Sequence, residues 1–364
     1  MKVTVVGAGI VGYAIAYELA ARGAQVHVVD ARGTGQGATR ASAGILAPYI
    51  EGHSTALLHL GLCSLEQYDS FVARVATDAR RAVEYRRTGT LQVALTEEEA
   101  RQLERQGRTL ADAGVNVTYV EADEARRLEP ALATSVRAAL LVPEHGYVGA
   151  ATLVAALAQA ASSRGVSLSI ARVRAIGRAN GALTVDTSGD SLIADAVVLA
   201  AGSWSGGIPM TPAAPPPVRP VRGQLLHLRL PDAPLSHVVW GTGSYLVPWQ
   251  DGSVLVGATV EDVGFDERVT VAGVRELLDA GERLVPAVRS AIFEEARAGL
   301  RPATADELPI VGPSSTMRGV YYATGHYRSG VLLAPLTAMI MADLLITGNA
   351  RRELELVRPD RFGL

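Results

Sequence analysis

Cysteine is almost missing from this chain of 364 residues: Cys63 stands alone. That excludes a disulfide framework and a multi-thiolate metal cluster, and no metal is expected. A solitary cysteine reads first as a small buried apolar side chain, and its scarcity fits a reducing, cytoplasmic location. Blocks of Lys or Arg are missing too, and the net charge is −3, so nucleic acid is not expected as a partner. Long apolar runs are also absent. Val331 to Ile346 is apolar but is interrupted by Pro335 and Asp343 and is too short to span a bilayer. It reads as a buried helix, and no membrane partner is expected. Lys2 ahead of the first apolar run invites a signal-peptide reading. The glycine spacing, Glu18 and the strand that follows explain the run better. No internal repeat is found.

Hydrophobic residues make up 48% of the chain and charged ones 20%, as in a well-packed globular protein. The length exceeds what one core usually serves, so two domains are expected. The opening segment is the most informative. Val3-Thr-Val-Val-Gly7-Ala-Gly9-Ile-Val-Gly12, a helical pattern to about Arg22 and Val26-His-Val-Val-Asp30 read as strand, glycine turn, helix, strand, acid. Gly7 allows the tight turn, Gly9 lets the backbone approach a pyrophosphate, and Gly12 lets the helix pack on the sheet. The helix aims its free N–H groups at phosphate. Asp30 falls at about the offset expected for an acid on ribose hydroxyls. An acid there argues against a 2′-phosphate, hence against NADP.

Residues 31–48 are dense in Gly, Ala, Ser and Thr, with glycines at 33, 35, 37 and 44. Ala41 to Leu46 is too apolar for a solvated loop and suits backbone pressed against a flat ligand. Helical patterns follow at about 54–86, 96–113 and 121–128, and an Ala-rich helix runs from about Ala150 to Arg164, with Gly165 as its stop. Asp195-Ala-Val-Val-Leu-Ala-Ala-Gly202-Ser-Trp204 reads as a buried parallel strand entering a glycine turn. Pro209 to Pro220 holds six prolines and reads as a linker. Alternating strands come next near 221–230, 237–240, 244–249 and 253–259, then a helix at about 271–284. Gly299-Leu-Arg301-Pro-Ala-Thr reads as a turn. Gly319 to Gly330 is a strand running into a glycine turn, with the last long helix expected from about Val331. These segments imply an interleaved α/β (mixed α+β) architecture. Residues 1–84, 145–215 and 300–364 form one domain; 85–144 and 216–299 form the other.

After Asp30 a nicotinamide enzyme would continue with regular βα units, whereas here a strand–glycine turn–helix closes the chain. The ordered set Gly7-Ala-Gly-Ile-Val-Gly12, Asp30, Arg40-Ala-Ser-Ala-Gly44, Ala200-Ala-Gly-Ser-Trp204, Val221-Arg-Gly-Gln224, Gly299-Leu-Arg-Pro302 and Gly325-His-Tyr-Arg-Ser-Gly330 resembles the D-amino-acid oxidase family of FAD oxidoreductases. The likeness covers nearly the whole chain. It implies a glutathione-reductase-type FAD-binding domain and a substrate domain built on a mixed, largely antiparallel sheet. It assigns the adenosine end to Gly7, Gly9, Gly12, Asp30 and the backbone of Val173, with Ile10, Val11, Ala31, Arg32 and Thr39 also among the cofactor residues. Ala41, Ser42 and Gly44, with Ala43 and Leu46, fall near the pyrophosphate and flavin. Ala201, Gly202 and Trp204 lie along the cofactor. The segment His326, Tyr327, Arg328, Ser329, Gly330, Val331 and Leu332 belongs to the flavin end, where a helix N-terminus would stabilise charge on the reduced ring. Relatives that tether FAD do so through a cysteine in the C-terminal flavin segment. Cys63 lies far from it, so FAD is expected to be non-covalent.

The resemblance makes Arg301 the anchor for a substrate carboxylate and a contact to the cofactor as well. Arginine suits that task because it stays charged and binds both oxygens. The competing reading pairs Arg301 with Asp306 or Glu307. Arg328 would assist near the entrance, and the Tyr245 hydroxyl would help hold the carboxylate. No protein base is required: the neutral amine need only present its Cα–H to the flavin, so His326 is expected to shape the cleft. The implied activity is oxidation of glycine or another small amino acid (sarcosine, a D-amino acid) to the imine and 2-oxo acid, with O2 as acceptor and H2O2 and ammonia as products, in thiamine biosynthesis. Alternatives are a D-amino-acid dehydrogenase passing electrons to a quinone or carrier, and a non-catalytic flavin-binding subunit. Val260 stands where the relatives compared carry methionine, which changes pocket volume by an amount worth ~1–3 kcal/mol of discrimination. A homo-oligomer, a tetramer by family precedent, is expected.

Overall fold

The computed structural model describes residues 1–52, 54–231 and 234–364. Its first layer is a six-stranded sheet in the order Ile310–Pro313, Val320–Thr324, Ala196–Leu199, Lys2–Val6, Gln25–Asp30, Ser167–Ile170. All neighbours are parallel except the outermost pair Ile310–Pro313 and Val320–Thr324. The central strands are predominantly apolar, Val-Thr-Val-Val and Ala-Val-Val-Leu among them, because both faces are covered. On one face lie the helices Ile10–Ala21, Ala150–Ser163 and Ala334–Ile346, in one core with Val3, Val5 and Val198. On the other, the antiparallel sheet Val173–Ala179, Ala182–Thr187, Ser191–Ala194 packs Ile176 and Val185 against Val6, Val197 and Leu199.

The second layer is an eight-stranded sheet in the order Ile292–Ala303, Arg219–Arg229, Ser253–Gly257, Ser244–Pro248, Val238–Gly241, Thr90–Ala94, Ala138–Val142, Thr118–Glu121. Only the Val238–Gly241/Thr90–Ala94 pair is parallel. Side chains alternate between its faces. Leu226, Leu246, Val254 and Val256 pack on the helix Val271–Leu284 through Leu277 and Leu284. Leu225, Val247, Leu255 and Val238 point the other way, against Ala43, Ile45 and Ala47 of the small-residue loop. That second face roofs the first layer.

Three sequence expectations are corrected. The helical stretch expected at 54–86 is two helices, Thr55–Leu65 and Tyr68–Ala79, the second stopped by Arg80 in the left-handed region at φ 49°. Gly299 to Thr304 is not a turn: Arg301 lies in the strand Ile292–Ala303, opposite Val221. Pro302 is tolerated because this is an edge strand. The last helix starts at Ala334, not at Gly330 or Val331. Pro335 explains this, since proline lacks an N–H and fits only a first helical turn. The carbonyls a longer helix would have used are taken by side chains: the Tyr68 hydroxyl donates to Val331 O and the Ser64 hydroxyl to Leu332 O, both at 2.6 Å. Among the described residues, no helix is long and apolar enough to cross a membrane.

Candidate active site

At the end of Lys2–Val6 the chain turns through Gly7, whose φ of +116° only glycine adopts readily and whose absent Cβ would lie 2.3 Å from Ala200 O. A Cβ on Gly12 would meet Gly7 O at 2.0 Å, so this glycine serves helix packing. Gly9 differs. A Cβ there would find no protein atom closer than Thr39 Oγ1 at 3.5 Å. Packing does not demand that glycine, and its free side opens on a cavity of about 1010 Å³. This is at the upper end of the ~300–1,000 Å³ seen for small-molecule and cofactor sites. Asp30 lies on the same wall and is fixed by backbone donors: Ala8 N–H to Oδ2 (2.9 Å), Arg32 N–H (2.7 Å) and Gly33 N–H (2.9 Å) to Oδ1. Its oxygens retain lone pairs to accept from a ribose. Thr39 Oγ1 accepts from Ile10 N–H at 3.0 Å, joining the small-residue loop to the helix start.

Farther along the wall, the Arg32 guanidinium lies 4.1 Å over the Trp204 ring, which meets Phe265 at 6.0 Å. Arg32 also pairs with Glu267 at 2.8 Å. This stack closes one side of the nucleotide end.

The other end is built by the roofing sheet. Arg301, Tyr245, Gly223 and Gly257 all lie on the face that carries Leu225 and Val247, as register and alternation require. The two glycines make room for the two functional side chains. A Cβ on Gly223 would lie 2.2 Å from Arg301 Nη2, and one on Gly257 would lie 2.6 Å from the Tyr245 hydroxyl. Arg301 Nη1 donates to Thr259 O at 2.9 Å, and among the described residues no carboxylate pairs with it. The pairing considered with Asp306 does not form, because Arg361 takes Asp306 at 2.7 Å. Burial pushes the Tyr245 phenol up to about 12, so it is a neutral donor. Arg328 is exposed at the cavity mouth, its guanidinium 5.0 Å over Tyr327. His326 is buried, bonds Thr337 Oγ1 at 3.0 Å and is held neutral, its pKa pulled down to about 4 by burial. Tyr327 N–H donates to Pro302 O at 2.8 Å, fastening the 326–331 turn to the strand of Arg301.

One cavity-lining acid escaped the sequence reading. Glu51, at the end of the short helix Pro48–Glu51, lines the cavity. Burial raises its carboxyl to about 7, against the opposing pull of Arg328 and Arg301. No spacing rule marks a single acid, and its meaning depends on arginines from the far end of the chain. Trp240 and Gly241 also line this end and were not foreseen.

The cavity wall gathers Gly7, Gly9, Ile10, Val11, Asp30, Ala31, Arg32, Thr39, Ala41, Ser42, Ala43, Gly44, Val173, Ala201, Gly202, Trp204, Tyr245, Arg301, His326, Tyr327, Arg328, Gly330 and Val331. It does not include Gly12, Leu46, Ser329 or Leu332. Leu46 and Leu332 are core side chains and Ser329 is buried, so these positions act from behind the wall. Val260 lines the cavity yet is 59% exposed. Cys63 is half-buried on the helix Thr55–Leu65, not the fully buried side chain expected.

The family described as FAD dependent oxidoreductase (DAO) matches residues 2–344. The chain is 35% identical over 347 residues to a glycine oxidase of Geobacillus kaustophilus, covering 94% of this chain and 92% of that protein. It is 34% identical over 369 residues to a bifunctional protein ThiO/ThiG of Synechocystis, covering 99% of this chain but 54% of that longer protein. The crystal structure of glycine oxidase from Geobacillus kaustophilus superposes with a TM-score of 0.92 at 34% identity, over 98% of each chain.

Proposed function

This chain belongs to the DAO family of FAD-dependent oxidoreductases, and from that premise we propose that it oxidises glycine and closely related small amino acids at the Cα–N bond. The observation that carries the reading is charge complementarity: Arg301, without a carboxylate partner among the described residues, shares a cavity with the carboxyl of Glu51. The pair matches the two charges of an amino acid zwitterion.

The residues fit FAD. The open side of Gly9, the fixed carboxylate of Asp30 and the small-residue strip Ala41 to Gly44 line one continuous cavity that runs to Arg301. FAD held there would supply the redox chemistry, as a two-electron acceptor for the substrate Cα–H bond with O2 as the final oxidant and H2O2 as its product. Arg301 holds the substrate carboxylate through paired N–H donors, and the neutral Tyr245 hydroxyl donates a further hydrogen bond. Glu51 accepts a proton from the substrate ammonium, leaving the neutral amine whose lone pair drives loss of hydride from Cα. The imine then takes up water and releases ammonia and the 2-oxo acid, glyoxylate in the case of glycine. Arg328 screens the mouth. His326 is neutral and tied to Thr337, so it orients the turn and takes no part in proton transfer. The half-exposed Val260 leaves space for substituents on the amine or Cα, and N-alkyl glycines and small D-amino acids fit the same pocket. We place this oxidation in thiamine biosynthesis, as the likeness to the ThiO/ThiG protein supports. The division of labour runs between the six-stranded layer, which holds the dinucleotide, and the eight-stranded sheet, which holds the substrate.

The test is anaerobic flavin bleaching of the FAD-loaded protein by glycine, sarcosine, D-alanine, D-proline, L-alanine and NADH, followed by admission of air. Bleaching by glycine or another small amino acid with rapid reoxidation and peroxide is expected. Slow reoxidation would move the protein to a dehydrogenase using another acceptor. Absence of bleaching by every amino acid would refute the proposed activity.

A further inference from the structure

Outside the set of cavity-lining residues, His59 and Cys63 lie one turn apart on the helix Thr55–Leu65 and therefore share a face. Glu353 joins them from the 3-10 turn Arg352–Leu356 near the end of the chain. One donor atom from each of the three lies within 4.8 Å of the others. Cys63 Sγ stands 3.7 Å from His59 Nε2. A tetrahedral ion at about 2.3 Å from sulfur and about 2.1 Å from nitrogen sets those donors ~3.6 Å apart, so this pair already stands at coordination distance. The surroundings favour a cation. Among the described residues no ion pair engages Glu353, while its neighbour Glu355 pairs with Arg358.

We propose that His59, Cys63 and Glu353 form a binding site for a thiophilic divalent transition-metal ion of the zinc class. Mixed sulfur, imidazole and carboxylate donors suit Zn²⁺ or Co²⁺ and not Mg²⁺ or Ca²⁺. A single cysteine rules out a thiolate cluster but serves as one ligand of three, with solvent in the fourth position. On binding, the Cys63 S–H bond is replaced by a sulfur–metal bond and the proton leaves to solvent, so affinity rises with pH. The ion links the chain's last segment to the helix whose next residue, Ser64, holds Leu332 O at 2.6 Å. Metal therefore braces the start of the flavin-end helix from outside the catalytic cavity, and the proposal stands whether or not glycine is the substrate.

The experiment titrates the full-length, FAD-loaded protein with Co²⁺. Expected are d–d bands at the red edge of the visible spectrum, clear of flavin absorption, with the intensity of four-coordinate cobalt, saturating at one equivalent and abolished by one equivalent of Zn²⁺. Cys63→Ser should remove the accompanying sulfur-to-cobalt charge-transfer band, and His59→Ala and Glu353→Gln should each weaken binding by about tenfold or more. All three variants should keep their flavin content and metal-free glycine turnover, which shows that they fold. Zn²⁺ should raise the Tm of the wild-type protein and not that of Cys63→Ser. No cobalt band, a band unchanged in Cys63→Ser, or an affinity unchanged in both His59→Ala and Glu353→Gln would each overturn the site.

Discussion

In the proposed reading Arg301 and Glu51 divide the recognition of a zwitterion between them, and each can be tested alone. Arg301→Ala leaves the substrate carboxylate unpaired. The loss should be roughly 10²–10³-fold in kcat/KM, from the ~2–5 kcal/mol that breaking a buried charge pair costs. Most of it should appear in KM, with flavin content unchanged. Arg301→Lys should recover only part, because an ammonium cannot grip both oxygens in one plane. Glu51 sets a pH dependence whose sign follows from its role. The ionised carboxylate is the proton acceptor, and burial raises its pKa to about 7. Flavin reduction by glycine, followed in a stopped-flow instrument, should therefore fall as pH drops below about 7 and level off above it. Glu51→Gln should abolish that limb and slow reduction by about 10²-fold, within the range for general acid–base groups. A profile unchanged by the substitution would remove Glu51 from the chemistry. Arg301 and Arg328 stood out in the sequence because each sits in a restrictive motif, and Tyr245 was picked out only by the family resemblance. Glu51 was not, since a lone acid after Pro48-Tyr-Ile gains its meaning only when distant arginines fold opposite it.

At the level of elements, the substrate end depends on strand register. Val221 opposite Arg301 and Tyr245 opposite Gly257 place both functional side chains on the roof's inner face, and a slip by one residue would turn them to the wrong side. Gly223 is the sharpest test. Its missing Cβ is where the Arg301 guanidinium lies, so Gly223→Ala should fold normally, displace that group by about an ångström and raise KM roughly 10²-fold. Wild-type kinetics in this variant would show that Arg301 is free to sit elsewhere. Gly223 lies in the Val221-Arg-Gly-Gln224 segment that the sequence singled out, but the reason for glycine there is tertiary and invisible in one chain. The same holds for Arg301's setting. Glycine and proline beside it read locally as a turn, and only its place on a sheet edge lets Pro302 remain in a strand. The start of the last helix was misjudged by about three residues for a related cause: Pro335 marks the first helical turn, whereas the apolar run alone suggested an earlier start.

Across the whole molecule, the first layer and the roof are each assembled from separated pieces of chain, and the cavity is the space between them. Strand–glycine–helix patterning at both ends of the sequence made the first layer legible, and period-two alternation revealed the roof's antiparallel strands. The contact between the layers was not legible, because the residues that make it, such as Ala43, Ile45 and Leu225, are ordinary apolar side chains until register fixes which way they point. A cavity this large between two layers leaves the apoprotein short of contacts. Removing FAD should lower Tm by roughly 3 °C or more, and adding it back should restore Tm progressively with concentration. The stabilisation is ~2.7 kcal/mol at a hundredfold excess over Kd, and with an unfolding entropy of ~2.1 cal/mol/K per residue each kcal/mol is worth ~1.3 °C in a chain of 364 residues. An apoprotein as heat-stable as the holoprotein would mean that the layers hold together without the cofactor between them. The indole of Trp204, lodged under Arg32 on the cavity wall, gives this molecule an internal gauge. Of the chain's three tryptophans, Trp204 and Trp240 both border the cavity. An excited indole at such a distance surrenders its energy to a yellow chromophore before it can emit. Loading is therefore readable as darkness in the ultraviolet emission, and Trp204→Phe against Trp240→Phe would report separately on the nucleotide end and the substrate end.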